Sequence, residues 1–426
     1  MDTAQPLPLK WQMVLLAALA MLAYFPAGNI PLIADDYPNI SQALTYGAPS
    51  GLGVLLHDAQ FRLRSTSYWV WYGLWQTAGM SQQACHAASV ALHIANTWLV
   101  LAIAMVWPRT RPAAFWAAAF FAVHEGHQEA VMWYSAISEL LMFFFGAAAL
   151  WCWLKARTWA AAALFALALL SKESAVILLP LFLLTIEWGE WKRSLPRLAP
   201  LVVLSALAVL SIAESRSNSF RFSDGSFSLH APFWITWPHS FARLLWVWGW
   251  LALGAVAIAG DARVRRAGVM ALAWIGIAFV PYSFLTYSTA IPSRQTYLAS
   301  AGLAFLVGLA FVQYAHRQKL AGALLAVMVV HNVGYLWTKK RAQFLERAAP
   351  TSQLIEVARR TRGVIWVRCF PLPAMDAEAA VRLGAGRAAD GLVWDADAAR
   401  ARDAVAFCYL GRGQTGKAAG ATDSAP

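Results

Sequence analysis

Two adjacent carboxylates, Asp35 and Asp36, follow the first apolar run of the chain in the string Ile33-Ala34-Asp35-Asp36-Tyr37. Carboxylates at the edge of an apolar layer are costly unless water, a cation or a partner meets them. The pair should therefore face an aqueous pocket, where one of them can serve as a general base. Three further polar groups interrupt or end apolar runs. They are His124-Glu125-Gly126-His127-Gln128-Glu129-Ala130-Val131-Met132-Trp133, then Ser171-Lys172-Glu173-Ser174, then Arg294 with Tyr297. Two of the four groups are acidic or imidazole-rich and two supply cations. A reaction that expels a phosphate needs that combination: a base for the acceptor hydroxyl and positive charge for the departing group.

Each group also has a plain structural reading. The aspartates can cap the turn that follows them. Lys172 can snorkel to an interface, or Lys172 and Glu173 can satisfy each other or nearby carboxylates. Arg294 can anchor a loop. His124 and His127 either hydrogen-bond to their neighbours or, with Asp36, hold a divalent cation. Their spacing is not the metalloprotease pattern, which sets two histidines four apart. Arg216, Arg221 and Arg243 are cations without a motif and read as structural, and Trp246, Trp248 and Trp250 read as a lipid-facing belt.

The elements that must position these residues follow from composition. The chain is 59% hydrophobic and only 13% charged, where a soluble domain carries about 25% charge. Most of it must face lipid or other apolar helices. The apolar runs are continuous rather than alternating, which favours helices over a barrel. Eleven spans are expected, at 11–28, 86–107, 112–124, 137–154, 158–171, 174–188, 197–214, 239–259, 267–285, 297–315 and 319–337. Three are short for a full crossing, as in helices that are tilted or broken beside a cavity. The run at 11–25 has no convincing cleavage site after it and reads as a retained first helix.

The net charge of +12 has a topological explanation that sets nucleic acid aside. With the N-terminus and Lys10 inside, the inner connections hold Arg109 and Arg111; Lys155 and Arg157; Lys192, Arg193 and Arg197; Arg263, Arg265 and Arg266; and Arg317 and Lys319. All are basic, as the positive-inside rule requires. Lys339-Lys340-Arg341 is the exception, since an odd count of spans puts that end outside. All four polar groups then share the outer face. Residues 29–85 form a large outer loop whose Tyr68, Trp69, Trp71, Tyr72 and Trp75 suggest an interfacial helix. Residues 215–238 and 286–296 are the other long outer loops.

From 339 the composition turns polar. Residues 363–367 and 391–394 read as strands, and 376–390 and 396–404 as short helices. The expected organisation is a membrane domain over 1–338, a small α+β appendage over 339–411 on the periplasmic side, and a disordered tail over 412–426. Cys85 and Cys152 lie in apolar runs and read as packing residues. Cys369 and Cys408 either pair in an oxidising compartment or stay free.

Three stretches carry a resemblance: Val123 to Trp133, Leu170-Ser171-Lys172-Glu173-Ser174-Ala175-Val176, and Arg294-Gln295-Thr296-Tyr297-Leu298. Together they are similar to the membrane core of the transmembrane and tetratricopeptide-repeat O-mannosyltransferases. These belong, with the protein O-mannosyltransferases and the aminoarabinose lipid A transferases, to the GT-C glycosyltransferases. The similarity covers roughly residues 11–340. Glu125 stands where the family has proline, and the repeat domain is missing. The resemblance implies an all-α, GT-C-like bundle of about eleven transmembrane helices in a bacterial inner membrane, with its site facing the periplasm. Asp35 or Asp36 would be the base, Lys172 and Arg294 would bind the donor phosphate, and His124, His127, Glu129, Glu173 and Tyr297 would line the site. A divalent cation is the cofactor to consider. The implied donor is a polyprenyl-phosphate sugar, undecaprenyl in bacteria, and the acceptor a glycan, lipid or protein.

Rival readings remain. A transporter or flippase would need polar residues near the midplane, whereas these charges gather at one face. A polyprenyl-linked glycan ligase or polymerase would place its key arginines and histidine in a late outer loop, whereas the acidic pair here lies in the first. An inactive scaffold would tolerate loss of Asp35 and Asp36.

Overall fold

A computed structural model of the chain describes residues 7–215 and 225–411. Arg216, Arg221 and the tail 412–426 lie outside these described residues. Among them, eight helices are long and apolar enough to cross a membrane, and three shorter apolar helices, Arg111–Val123, Thr158–Leu169 and Glu173–Leu184, fall between them. The eleven elements occupy the eleven expected positions, and the three expected to be short are the three short ones. The chain is an all-α, multi-pass membrane protein with a small sheet at its C-terminal end.

The first helix, α1 (Leu9–Tyr24), ends in a tight turn through Pro26. The loop after it folds into three short helices, α2 (Asp36–Tyr46), α3 (Leu52–His57) and α4 (Ser65–Ala78). The aromatic stretch lies on α4, but its inner face is not left to lipid. Tyr68 and Trp71 are buried against α2 and Tyr134. Gly47 lets the two helices meet, because a Cβ there would sit 2.4 Å from the Tyr68 carbonyl.

The long helix α5 (Gln82–Val106) follows, N-capped by the Ser81 hydroxyl. Next, α6 (Ala114–Val123) is stopped by extended backbone at His124, and α7 (Gln128–Met132) by extended backbone at Trp133. The polar run is thereby held as a broken segment between α6 and α8 (Ile137–Leu154). Then come α9 (Thr158–Leu169), α10 (Leu178–Leu184), α11 (Trp191–Ser215), α12 (Phe233–Ala259) and α13 (Ala262–Phe279).

The axis of the bundle is α14 (Tyr297–Tyr314), buried at every residue from Tyr297 to Phe311. Small residues let its neighbours approach, as is usual where lipid supplies no hydrophobic drive between helices. A Cβ at Gly302 would lie 2.7 Å from the Ala271 carbonyl, and one at Gly308 would lie 2.9 Å from that of Ala113.

The last membrane helix does not stop at the membrane edge. It comprises α15 (Gln318–Tyr335), a wide turn at Leu336–Lys340 and α16 (Arg341–Arg360), 43 residues without a break. The polar shift at 339 thus falls inside one continuous helix. Its buried stripe continues through Leu336, Phe344, Ala348 and Leu354, so the helix persists after its outer surface turns polar.

Beyond it lie β1 (Ile365–Cys369), α17 (Ala374–Ala385), β2 (Leu392–Val393), α18 (Ala396–Ala401) and β3 (Val405–Cys408). The strands form a parallel sheet in the order β2-β1-β3, with Ile365 opposite both Leu392 and Val405. Strand β3 was not expected, because its four residues are too few for a period to show. Cys369 and Cys408 are disulfide-bonded across β1 and β3, with Cα atoms 4.6 Å apart. Helix α17 packs on α2: Ala379 and Ala380 share an apolar cluster with Tyr37, Ile40 and Tyr134, and Arg382 hydrogen-bonds to Ser41.

Candidate active site

The four polar groups converge at one end of the bundle. Asp36 binds the backbone N–H and hydroxyl of Ser135 through one oxygen, at 2.6 Å each, and the Ile33 N–H through the other at 2.7 Å. These bonds tie the first loop to the start of α8. Asp36 is buried, so both oxygens are occupied and neither is open to a substrate.

Asp35 points the other way. It is exposed, and Arg294 and Arg347 both act on its charge. The preceding Ala34 has φ +36°, a conformation non-glycine residues rarely adopt. That kink turns the two neighbours apart, one into the protein and one to the partly exposed surface around Arg294 and Arg347, the recess of the site. Loss of bulk water in the recess raises the Asp35 carboxyl, although Arg294, its own backbone and Arg347 pull it down.

Asp36 is raised further, to about 7, because burial outweighs its hydrogen bonds from Ile33 and Ser135. A carboxyl raised above its unfolded value adds stability that is complete below about pH 4 and is lost as pH climbs through the folded value. The melting temperature should therefore fall between about pH 4 and pH 7, and Asp36→Asn should flatten that slope. Equal slopes in the two proteins would contradict this role.

Glu129 organises the opposite wall. Its Oε2 accepts from the Arg294 backbone N–H at 3.2 Å and lies 3.9 Å from that guanidinium, while its Oε1 accepts from Arg347 at 3.3 Å. Burial alone would raise Glu129; Arg294 and Arg347 together hold it below the usual range. Both guanidiniums also lie over the Trp133 ring, at 4.8 and 4.5 Å. One carboxylate and one indole thus orient two arginines beside Asp35. Their side chains are 28% and 38% exposed, enough to be reached from the recess.

Lys172 is less accessible, at 9%, and is paired with the buried Glu139 of α8. Burial lowers its ammonium, which also lies 5.3 Å from the centre of the Tyr282 ring. Glu173 pairs with Arg64 at 3.0 Å. Lys172 feels the charges of both Arg64 and Arg294. The structure therefore puts Lys172 one layer behind Arg294, where it supports the positive field of the recess.

The histidines sit deeper still. His127 hydrogen-bonds to Ser300 at 2.5 Å, and His93 to the Tyr297 hydroxyl at 2.7 Å. The His93 ring packs edge to face with His127 and Tyr297 and stacks on Phe121, and the His127 ring packs edge to face with His124. Gly126 accommodates His124, since a Cβ there would lie 2.6 Å from Nε2. Tyr297 is buried in this cluster and is not part of the recess wall. The cation set of Asp36, His124 and His127 is corrected by this geometry. Asp36 is turned onto Ser135, and among the described residues no three His, Cys, Asp or Glu side chains converge as metal ligands.

Several residues here were not singled out from sequence. Glu139 carried a signal, as a lone carboxylate in an apolar run. Arg347 carried none, because it lies beyond the last span on a helix expected to have ended.

The sequence matches no family model and no curated protein. Solved structures do match over most of the chain. ArnT from Cupriavidus metallidurans, bound to undecaprenyl phosphate, aligns with TM-score 0.56 and 14% identity over 92% of this chain and 91% of that one. The Archaeoglobus fulgidus oligosaccharyltransferase in complex with zinc and sulfate aligns with TM-score 0.53 and 11% identity, over 88% of this chain and 62% of that one. The same organism's AglB, with an inhibitory peptide and a dolichol-phosphate, aligns with TM-score 0.52 and 10% identity over 89% and 63%. The chain shares its overall fold with ArnT and with these oligosaccharyltransferase structures. At these identities the likeness is one of fold.

Proposed function

We propose that the chain is a membrane glycosyltransferase that moves a sugar from a polyprenyl-phosphate donor to an acceptor hydroxyl, with inversion. The observation that carries this reading is the exposed Asp35 facing two arginines oriented by one carboxylate and one indole. In this reading Asp35 takes the proton of the acceptor hydroxyl. The oxygen attacks the anomeric carbon, and the bond from that carbon to the phosphate oxygen breaks. The polyprenyl phosphate leaves with the electron pair and meets Arg294, with Arg347 beside it and Lys172 behind. A planar guanidinium suits a phosphate that gains charge as it departs. The neighbours support the lipid class, since one was solved with undecaprenyl phosphate and another with a dolichol-phosphate. The basic connections predicted for the inner side support placing the recess on the periplasmic face.

The test is transfer of radiolabelled sugar from undecaprenyl-phosphate donors to endogenous acceptors in membranes containing the protein. Arg294→Gln should lower transfer by about 10²–10³-fold, the scale for losing one transition-state donor. Arg294→Lys should recover only part of this, because lysine cannot lie flat on Trp133 while bonding bidentately. Full activity in Arg294→Gln would overturn the assignment.

A further inference from the structure

A cavity of about 510 Å³ opens beside Glu129 and Arg347. Arg243 of α12, Lys340 of the wide turn and Arg347 of α16 line it, with Glu129, Glu346 and Tyr409. Glu129 is already shared by Arg294 and Arg347. Arg243 has no ion pair and no hydrogen bond among the described residues; it and Lys340 both act on the charge of Glu125 without bonding to it. Lys340 donates to the neutral Gln343 at 3.2 Å. Two cations from two different helices thus face one concave space without a carboxylate bonded to either. Cations so arranged favour an anion that can bridge them.

The surroundings point to where that anion comes from. Arg243 is three residues from Trp246, and Lys340 three from Trp337, both exposed on membrane helices. Exposed tryptophans mark headgroup level in a bilayer. The same two helices present Val247, Trp250, Val327 and Val330 outward, as lipid-facing helices do. Tyr409, adjoining the disulfide-bonded Cys408, brings the C-terminal unit to the cavity wall.

We propose that this cavity is a second anion site, centred on Arg243 and Lys340 and adjoining the donor-phosphate site at Arg347, that takes the phosphate of a membrane-borne molecule. On the reading given above, that molecule is the acceptor: Arg347 lines the cavity and also shares Glu129 and Trp133 with Arg294, so a sugar held at Arg294 meets a hydroxyl carried by the molecule in the cavity. The acceptor class is a phosphate-bearing lipid or lipid-linked glycan rather than a neutral polypeptide.

Binding tests this without any need for turnover. Full-length protein in detergent micelles is titrated with short-chain phosphatidic acid, with the matching diacylglycerol, with inorganic phosphate and with undecaprenyl phosphate, and tryptophan fluorescence is followed. Phosphatidic acid should bind and diacylglycerol should not. Arg243→Gln/Lys340→Gln should weaken phosphatidic acid about 10–100-fold, as expected for two lost charge-assisted bonds, and leave undecaprenyl phosphate within about twofold. Arg243→Lys/Lys340→Arg keeps both charges and should bind like wild type, which separates loss of charge from loss of fold. Equal binding of phosphatidic acid by wild type and the Gln pair overturns the site. Parallel loss of undecaprenyl phosphate overturns its separateness from the donor site. Inorganic phosphate binding as tightly as phosphatidic acid overturns the membrane source. Absence of sugar transfer in every membrane assay would remove the acceptor assignment while leaving these binding outcomes as they stand.

Discussion

Asp35→Asn should abolish measurable transfer, by about 10²–10⁴-fold, the range for removing a positioned general base. The protein should otherwise stay intact, because Asp35 is exposed and buries no hydrogen bond. Asp36→Asn should behave in the opposite way. It disturbs the three bonds that join Ile33 and Ser135, so its first effect should be on melting temperature, with activity falling only as far as the recess loosens. Transfer kinetics and thermal melting on the same preparations separate the two. A fully active Asp35→Asn, or equal kinetic defects in both variants with unchanged melting, would remove the division of labour between these neighbours.

The largest effect on stability is expected at Glu139. Its carboxylate is the ion-pair partner of Lys172, and both are buried. Removing one member of such a pair strands the other and costs about 3–5 kcal/mol, whereas replacing both with apolar residues is often nearly neutral. Glu139→Leu should therefore be poorly folded, and Glu139→Leu/Lys172→Met should recover most of the loss. The double variant also decides what Lys172 does. If it folds but transfers sugar slowly, the lysine acts on the phosphate through its charge. If it folds and transfers normally, Lys172 serves only to neutralise Glu139. Failure of the double variant to recover any stability would show that the pair is not the dominant interaction at that position.

Most of the bundle could be read from the chain because lipid permits few solutions. An apolar run must be a helix, and basic connections mark one side. The four polar groups could be found for the same reason: Asp35, Glu129, Lys172 and Arg294 are conspicuous wherever they interrupt apolar sequence. What they bind was not legible. Nothing local distinguishes Asp35 from Asp36; the positive φ of Ala34, with Ser135 arriving from a distant loop, makes one a surface group and the other an anchor. Lys172 reads as a free cation until α8 brings Glu139 to it across 33 positions. Arg347 was hidden because polar composition is compatible with either the end of a helix or its continuation through water. Only the spacing of Phe344, Ala348 and Leu354 hints at the latter.

That continuation has a mechanical meaning. A helix of 43 residues reaches about 65 Å at 1.5 Å per residue, roughly twice the hydrocarbon thickness of about 30 Å. Its lower half is set by lipid and its upper half carries Arg347, while Arg294 is carried by the short turn that leads into a different helix, the buried α14. When a bilayer thickens or thins, membrane helices answer by tilting. Tilt at the base of such a rod is a displacement at its top, so the spacing of the two guanidiniums over Trp133 is geared to the thickness of the membrane in which the protein stands.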